Sequence, residues 1–158
     1  MQYVLINDAN RADYQERLVH YYTHVMPLPE VVKMPVRIRQ VAIACLDDQD
    51  IVGVATILKV HVQDLDLPMW FYRTSVAEDY RQRDIARTLA NTLYDHMDAS
   101  YQPGDPLGFY YLVESATLID NNKEVIWPRM GAFYMGRDAK GREKRVKYFT
   151  QASLAHLS

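Results

Sequence analysis

Across residues 69–97 the chain changes its period once. Residues 69–76 are a β-rich run, whereas from Ile85 the apolar positions return every four residues at Leu89, Leu93 and Met97, the core-facing stripe of a helix of about fifteen residues. Between the two lies a short charged turn: Tyr80, Arg81, Gln82, Arg83 and Asp84. The first N–H groups of a helix have no partner in their own helix, and the helix dipole is positive there, so several donors converge on the space in front of such a turn. Arg81 and Arg83 add fixed positive charge. A strand delivered into a helix in this way forms a cradle for an anion.

The rest of the composition bounds the answer. A chain of 158 residues is expected to be one domain, 1–158, able to bury roughly 70% of the surface its unfolded form exposes without a disulfide or metal staple. The single cysteine, Cys45, sits in an apolar run and is expected to be a small buried strand residue rather than a thiol nucleophile. No apolar stretch approaches the ~20 residues of a membrane span, and no charged segment with an apolar core opens the chain, so a cytoplasmic location without membrane insertion is expected. With 18 Lys+Arg against 20 Asp+Glu, the charge argues against a general nucleic-acid binder.

Read in order, residues 3–6 are β-rich. Asn7, Asp8 and Asn10 then offer caps for a helix with apolar positions at Tyr14, Leu18, Tyr21 or Tyr22, and Val25. Pro27, Pro29 and Pro35 interrupt the pattern, leaving a connector with room for one helical turn around residues 30–33 and the placement of a substrate-side lid. Residues 36–46 and 51–62, both rich in β-branched side chains, are expected to be a hairpin turning at residues 47–50, with Gly53 marking a bulge or a close approach. Residues 69–76 are the next strand. After the helix from Ile85, residues 108–114 form a nearly continuous apolar run, a central strand with parallel neighbours. Asp120 or Asn121 can cap a short helix through Met130, interrupted by Pro128 and stopped by Gly131, and residues 132–135 and 145–149 close the chain as a hairpin.

Both the order of elements and two stretches of wording resemble the GNAT superfamily of N-acetyltransferases. The acyl-CoA pyrophosphate loop of that family, Arg/Gln-x-x-Gly-x-Gly/Ala, falls on Arg81, Gln82, Arg83, Asp84, Ile85 and Ala86, with Asp84 where the family has glycine. A second family segment, Asn-x-x-Ala-x-x-Leu-Tyr-x-x-x-Gly-Phe, is similar to residues 121–133, where Gly131 matches the glycine, Trp127 replaces the tyrosine and Phe133 lies one residue beyond the aromatic. The resemblance implies an α/β fold with a central mixed sheet of six to seven strands flanked by helices and with splayed parallel central strands. It implies acetyl-CoA as acyl donor, no metal, and transfer to a primary amine on a small molecule or a protein. Val76, Arg81, Gln82, Arg83, Asp84, Ile85, Ala86, Asn121 and Trp127 are the implied cofactor-binding positions, with a backbone N–H near residues 75–77 aimed at the thioester carbonyl. The terminal strand offers an edge on which a homodimer can pair.

Such a transfer requires an amine that has lost its proton, since an ammonium has no lone pair with which to attack. Glu114, ending the fifth strand, is the leading candidate base, although a strand-end glutamate commonly does no more than solvate an edge; Glu78, Asp47 and Asp48 could act through water. Tyr110 and Tyr111 alternate across their strand, so one faces a cleft and the other the core. Trp127 cannot give a proton to the departing thiolate, which leaves Tyr134 or solvent as the acid. Asp84 is open to two readings. Its carboxylate either caps the helix donors and repels a diphosphate, or turns to solvent, Arg81 or Arg87 and leaves the donors free. Asp84 and Trp127 together motivate the alternative of a GNAT-fold binding or regulatory protein without transfer chemistry. His20 and His24 have the spacing of two metal ligands but no third nearby, and the series Arg137, Lys140, Arg142, Lys144, Arg145 and Lys147 is expected to be a solvated hairpin face.

Overall fold

The computed structural model describes residues 1–81, 83–113 and 131–152. Seven strands pair there: β1 (Gln2–Leu5), β2 (Val41–Asp47), β3 (Asp50–Val62), β4 (Leu67–Val76), β5 (Gly108–Val113), β6 (Phe133–Arg137) and β7 (Glu143–Tyr148). They form one mixed sheet in the order β1-β2-β3-β4-β5-β7-β6. Three helices accompany them: α1 (Arg11–His20), α2 (Met34–Gln40) and α3 (Ile85–Ala99). β4 and β5 are parallel, matched at Trp70 with Phe109, Phe71 with Tyr110 and Tyr72 with Tyr111. β5 meets β7 antiparallel on its other side, so the expected central strand has one parallel neighbour rather than two.

By contacts the chain falls into two compact units, residues 1–57 with 74–93 and residues 58–73 with 94–158. In the first, Leu18, Tyr21 and Tyr22 from the helical region after Asn10, with Ile38 from α2, bury against Val41, Ala44, Leu46, Ile51 and Val54. The other face of β2 and β3 carries Cys45, buried as expected, opposite Gly53. The register slips beside that pair. A Cβ on Gly53 would lie 3.1 Å from Ile85 Cγ2 and 3.4 Å from Leu89 Cδ1, so the missing side chain is what lets α3 settle close on the strand.

One sequence expectation is overturned. Residues 34–40 are helical, not the first half of a strand beginning at residue 36, and the helical turn expected at residues 30–33 lies later. Pro35, in the first turn of α2, has a preset φ and no N–H to satisfy there, and this outweighs the β preference of Val36 and Ile38. The strand proper begins at Val41.

In the second unit an aromatic core gathers Tyr72, Tyr94, Phe109, Tyr111 and Phe149, with neighbouring ring centroids 5.3–5.8 Å apart for Tyr72–Phe109, Tyr72–Tyr111, Tyr94–Phe149 and Phe109–Phe149. The Tyr94 hydroxyl donates to the Tyr148 carbonyl at 2.6 Å. The opposite sheet face packs Val62, Met69 and Val146. The short helix expected between residues 120 and 130, and the tail after residue 152, lie outside the described residues.

A candidate anion-binding turn between β4 and α3

Four consecutive residues at the end of β4 are each tied down. Thr74 Oγ1 donates to the Val54 carbonyl at 3.1 Å, and Ser75 Oγ shares a hydrogen bond of 2.9 Å with the Tyr21 hydroxyl. The Val76 carbonyl accepts from Arg81 Nε at 3.1 Å, and the Ala77 N–H donates to Val52 O at 2.8 Å. The strand end thus enters the turn with each of these residues hydrogen-bonded. A single tight turn, Glu78–Tyr80, follows.

The turn closes at Asp84, whose φ is +58°. This is the left-handed region, which costs an ordinary L residue roughly 1–2 kcal/mol and which glycine, asparagine and aspartate enter most readily. Asp84 therefore supplies the backbone conformation that a glycine would supply. Its carbonyl accepts from Thr88 N at 3.0 Å and from Thr88 Oγ1 at 2.9 Å, which makes it the N-cap residue of α3. An N-cap side chain ordinarily works from an extended backbone and bends over the first N–H groups. Here the carboxylate instead pairs with Arg87 Nη2 at 2.7 Å, with 66% of the Asp84 side chain exposed. Of the two readings of Asp84, the geometry is that of the carboxylate turned to Arg87. The N–H groups of Ile85, Ala86 and Arg87 precede the first intrahelical bond and have no acceptor within α3. Ile85 is buried and anchors the helix, while Ala86 is exposed with only a methyl group beside the turn.

Both arginines are exposed, and each rests on a different neighbour. Arg81 is braced on the Val76 carbonyl, and its Nη2 lies 3.9 Å from Met26 Sδ. Arg83 is exposed, with its guanidinium carbon 4.8 Å from the Tyr80 ring centroid. The Tyr80 hydroxyl in turn donates to Asp47 Oδ2 at 2.6 Å, and this bond, chiefly, pushes the Tyr80 phenol up from its ordinary value. Asp47 is thereby engaged, whereas Asp48 is an exposed hairpin residue with φ of +54° and Glu78 is exposed beside the turn.

The remaining sequence candidates are dispersed. Gln82, Glu114, Asn121 and Trp127 lie outside the described residues. Tyr134, in the second unit, is exposed on β6, with the Arg145 guanidinium carbon 5.7 Å from its ring centroid. Tyr111 belongs to the aromatic core, while Tyr110 stands beside Phe71 and lines an open cleft of about 380 Å³ with Asp64, Asp138 and Lys144. The basic hairpin is not a uniformly solvated face. Arg145 is 1% exposed, paired with Glu143 at 2.6 Å and donating to Ala132 O at 2.9 Å. Lys147 Nζ sits 3.8 Å from the Tyr94 ring centroid, and burial lowers its pKa. His20 and His24 face one another with ring centroids 5.0 Å apart. Among the described residues, no three His, Cys, Asp or Glu side chains come together as a metal site, and no helix is long and apolar enough to cross a membrane.

Sequence reasoning passed over Tyr21 and Met26 as parts of this site, and reached Ser75 only through its backbone. Tyr21 carried only the signal of a core position, and nothing in the letters joins it to a serine 54 residues later.

No protein-family profile matches the sequence, and no curated protein matches it. Solved structures do. Arabidopsis thaliana NAA60 in complex with acetyl-CoA is similar over 95% of this chain and 98% of its own, at 18% identity and a TM-score of 0.59. A GNAT-family acetyltransferase from Streptococcus pneumoniae is similar over 93% and 98%, at 11% identity and a TM-score of 0.59. A ribosomal-protein-alanine N-acetyltransferase from Brucella melitensis is similar over 94% and 99%, at 12% identity and a TM-score of 0.58. At such identities it is architecture that is shared. The fold of this chain is that of the GNAT acetyltransferases.

Proposed function

We propose that the chain, acting as one domain over residues 1–158, is an N-acyltransferase that moves an acetyl group from acetyl-CoA to a primary amine by direct attack. The observation that carries this reading is the turn after β4, where a residue with φ of +58° opens α3 while its own carboxylate is engaged by Arg87. Donors at a helix start, a carboxylate drawn aside and two arginines make a fitting seat for a diphosphate.

In this reading Val76, Arg81, Gln82, Arg83, Asp84, Ile85 and Ala86 hold the nucleotide end of the acyl donor, and Asn121 and Trp127 contact its arm. The thioester supplies an activated acyl carbon. The amine nitrogen forms the new C–N bond as the C–S bond breaks, Glu114 takes the amine proton, and Tyr134 or solvent returns one to the thiolate. The work belongs in the cytoplasm, where acetyl-CoA is at hand. The acceptor is a small molecule or a protein amine, and a homodimer through an edge strand fits the architecture.

The decisive experiment is a melting curve with acetyl-CoA or desulfo-CoA at millimolar concentration. A ligand at about 100 times its Kd adds about 2.7 kcal/mol, enough for roughly 5–10 °C in a chain of this size. An unmoved Tm with both ligands overturns the reading. Thiol release across a panel of amines then separates a transferase from a binding protein, and Glu114→Gln lowers turnover at neutral pH with partial recovery at high pH.

A further inference from the structure

Tyr21 is an unusual place to find a hydroxyl. The side chain is 0% exposed, inside the core of the first unit, where phenylalanine would fill the same volume without a polar atom to satisfy. Its hydroxyl is spent on one partner, Ser75 Oγ, at 2.9 Å. Its backbone is held as well. After His20 the helix widens through Tyr21–Val25, and the Met26 N–H reaches back five residues to the Tyr21 carbonyl at 2.8 Å. Pro27 accounts for the ending: a residue before proline is driven from helical angles, and Met26 has φ −131° and ψ 74°. Both ends of this wide turn meet the anion-binding turn, Tyr21 through Ser75 and Met26 through its sulfur beside Arg81. Wide turns of this kind recur at functional sites.

The other ties at the strand end have a different character. Thr74 through its hydroxyl and Ala77 through its N–H bond to carbonyls of the neighbouring strand, and Arg81 bonds back to the strand end from the turn. The Tyr21–Ser75 bond alone among these four comes from a helical segment, and it acts on a side chain in the middle of the stretch that would face the acyl donor.

We propose that Tyr21 is a positioning residue for acyl transfer: its hydroxyl fixes Ser75, and so sets the backbone of Ser75 and Val76 to receive the pantetheine arm and thioester of acetyl-CoA. This rests on the function proposed above. It assigns to a buried tyrosine of the helical layer a role on the arm of the ligand rather than on its phosphates.

The test compares two ligands by calorimetry in the intact protein: acetyl-CoA, which has the arm, and adenosine 3′,5′-bisphosphate, which lacks it. Tyr21→Phe keeps the ring and removes one hydrogen bond, so acetyl-CoA affinity should fall about fivefold to tenfold while bisphosphate affinity stays the same. Ser75→Ala should reproduce the loss from the other end, and the double variant should lose no more than either single one. A merely structural role would lower Tm and leave the ratio of the two affinities unchanged, and that result overturns the inference. So does wild-type affinity for acetyl-CoA in Tyr21→Phe. Should that variant not fold, the ratio in Ser75→Ala decides alone. If the wild-type protein binds neither ligand, the functional reading fails first and the inference with it.

Discussion

Arg81 Nε donates to the carbonyl of Val76 at 3.1 Å, closing the strand end onto the turn that follows it. A cation aligned by a backbone carbonyl loses little further side-chain freedom when an anion arrives, whereas one waving in solvent would have to be ordered at that moment. Its neighbour Arg83 rests on the Tyr80 ring, so both guanidinium groups are oriented in advance.

Replacing both arginines should therefore be costly for a phosphate ligand. Arg81→Ala with Arg83→Ala should weaken acetyl-CoA binding at least tenfold at low salt, and the gap from wild type should narrow as salt screens the lost charges. Titration calorimetry at two ionic strengths checks this. Indifference to the double change would move the nucleotide away from the turn.

At position 84 the backbone angle and the carboxylate make separable predictions. Asp84→Ala keeps a Cβ in the left-handed region without the local hydrogen bonding that eases it, and should cost about 1 kcal/mol in urea unfolding. Asp84→Gly relieves the angle and loses only an exposed ion pair of ~0–1 kcal/mol, so its stability should stay within about 1 kcal/mol of wild type. Because Arg87 already engages the carboxylate, Asp84→Gly should alter acetyl-CoA affinity by less than about threefold at 0.15 M salt. A tenfold gain would show the carboxylate opposing the phosphates.

Gly108 should tolerate nothing larger. A Cβ there would stand 2.2 Å from the Lys147 carbonyl oxygen and 2.7 Å from Tyr148 Cα, both backbone atoms of the paired strand. Gly108→Ala must push β5 and β7 apart, beyond the 1–3 kcal/mol typical of an overpacked side chain. Loss of the cooperative urea transition, or a drop of about 3 kcal/mol or more, is expected. A smaller drop would mean that the strands part easily.

Alkaline pH should unfold the protein through its buried phenols. Burial pushes Tyr21 and Tyr94 up to about 12, in Tyr21 against the opposing pull of its Ser75 bond and the Arg81 charge. Each phenol keeps its proton more tightly folded than unfolded. The stability tied to it is complete below pH ~10 and is lost as pH climbs through about 12, about 2–3 kcal/mol for the fully buried Tyr21. Urea unfolding from pH 8 to 12 should show the fall, and Tyr21→Phe should remove part of it. A curve identical in wild type and variant would contradict the burial.

The sequence carried the architecture well because its strongest signals are local: the four-residue stripe of α3 and the hairpin at Asp47. It misled at residues 34–40, where β-branched residues concealed a helix that Pro35 at its start could have announced. It also misled at Arg145, counted with the solvated charges yet buried on its Glu143 partner. Opposite charges two positions apart on a strand share a face, and that spacing was the available clue. The basic turn was legible from its letters. The clamp on Ser75 was not, since a hydrogen bond across 54 residues leaves no periodic trace.

The angle at Asp84 also bears on how turns of this kind can be recognised. A pattern spelled in glycines has no glycine to find at this position, although the residue that stands there takes a left-handed φ that glycine adopts freely. Only a few residue types can stand at that spot, and they are not chemical equivalents. A turn of this kind is thus better sought by its torsion than by its spelling, since a chain without the glycine can still hold a left-handed angle at that position.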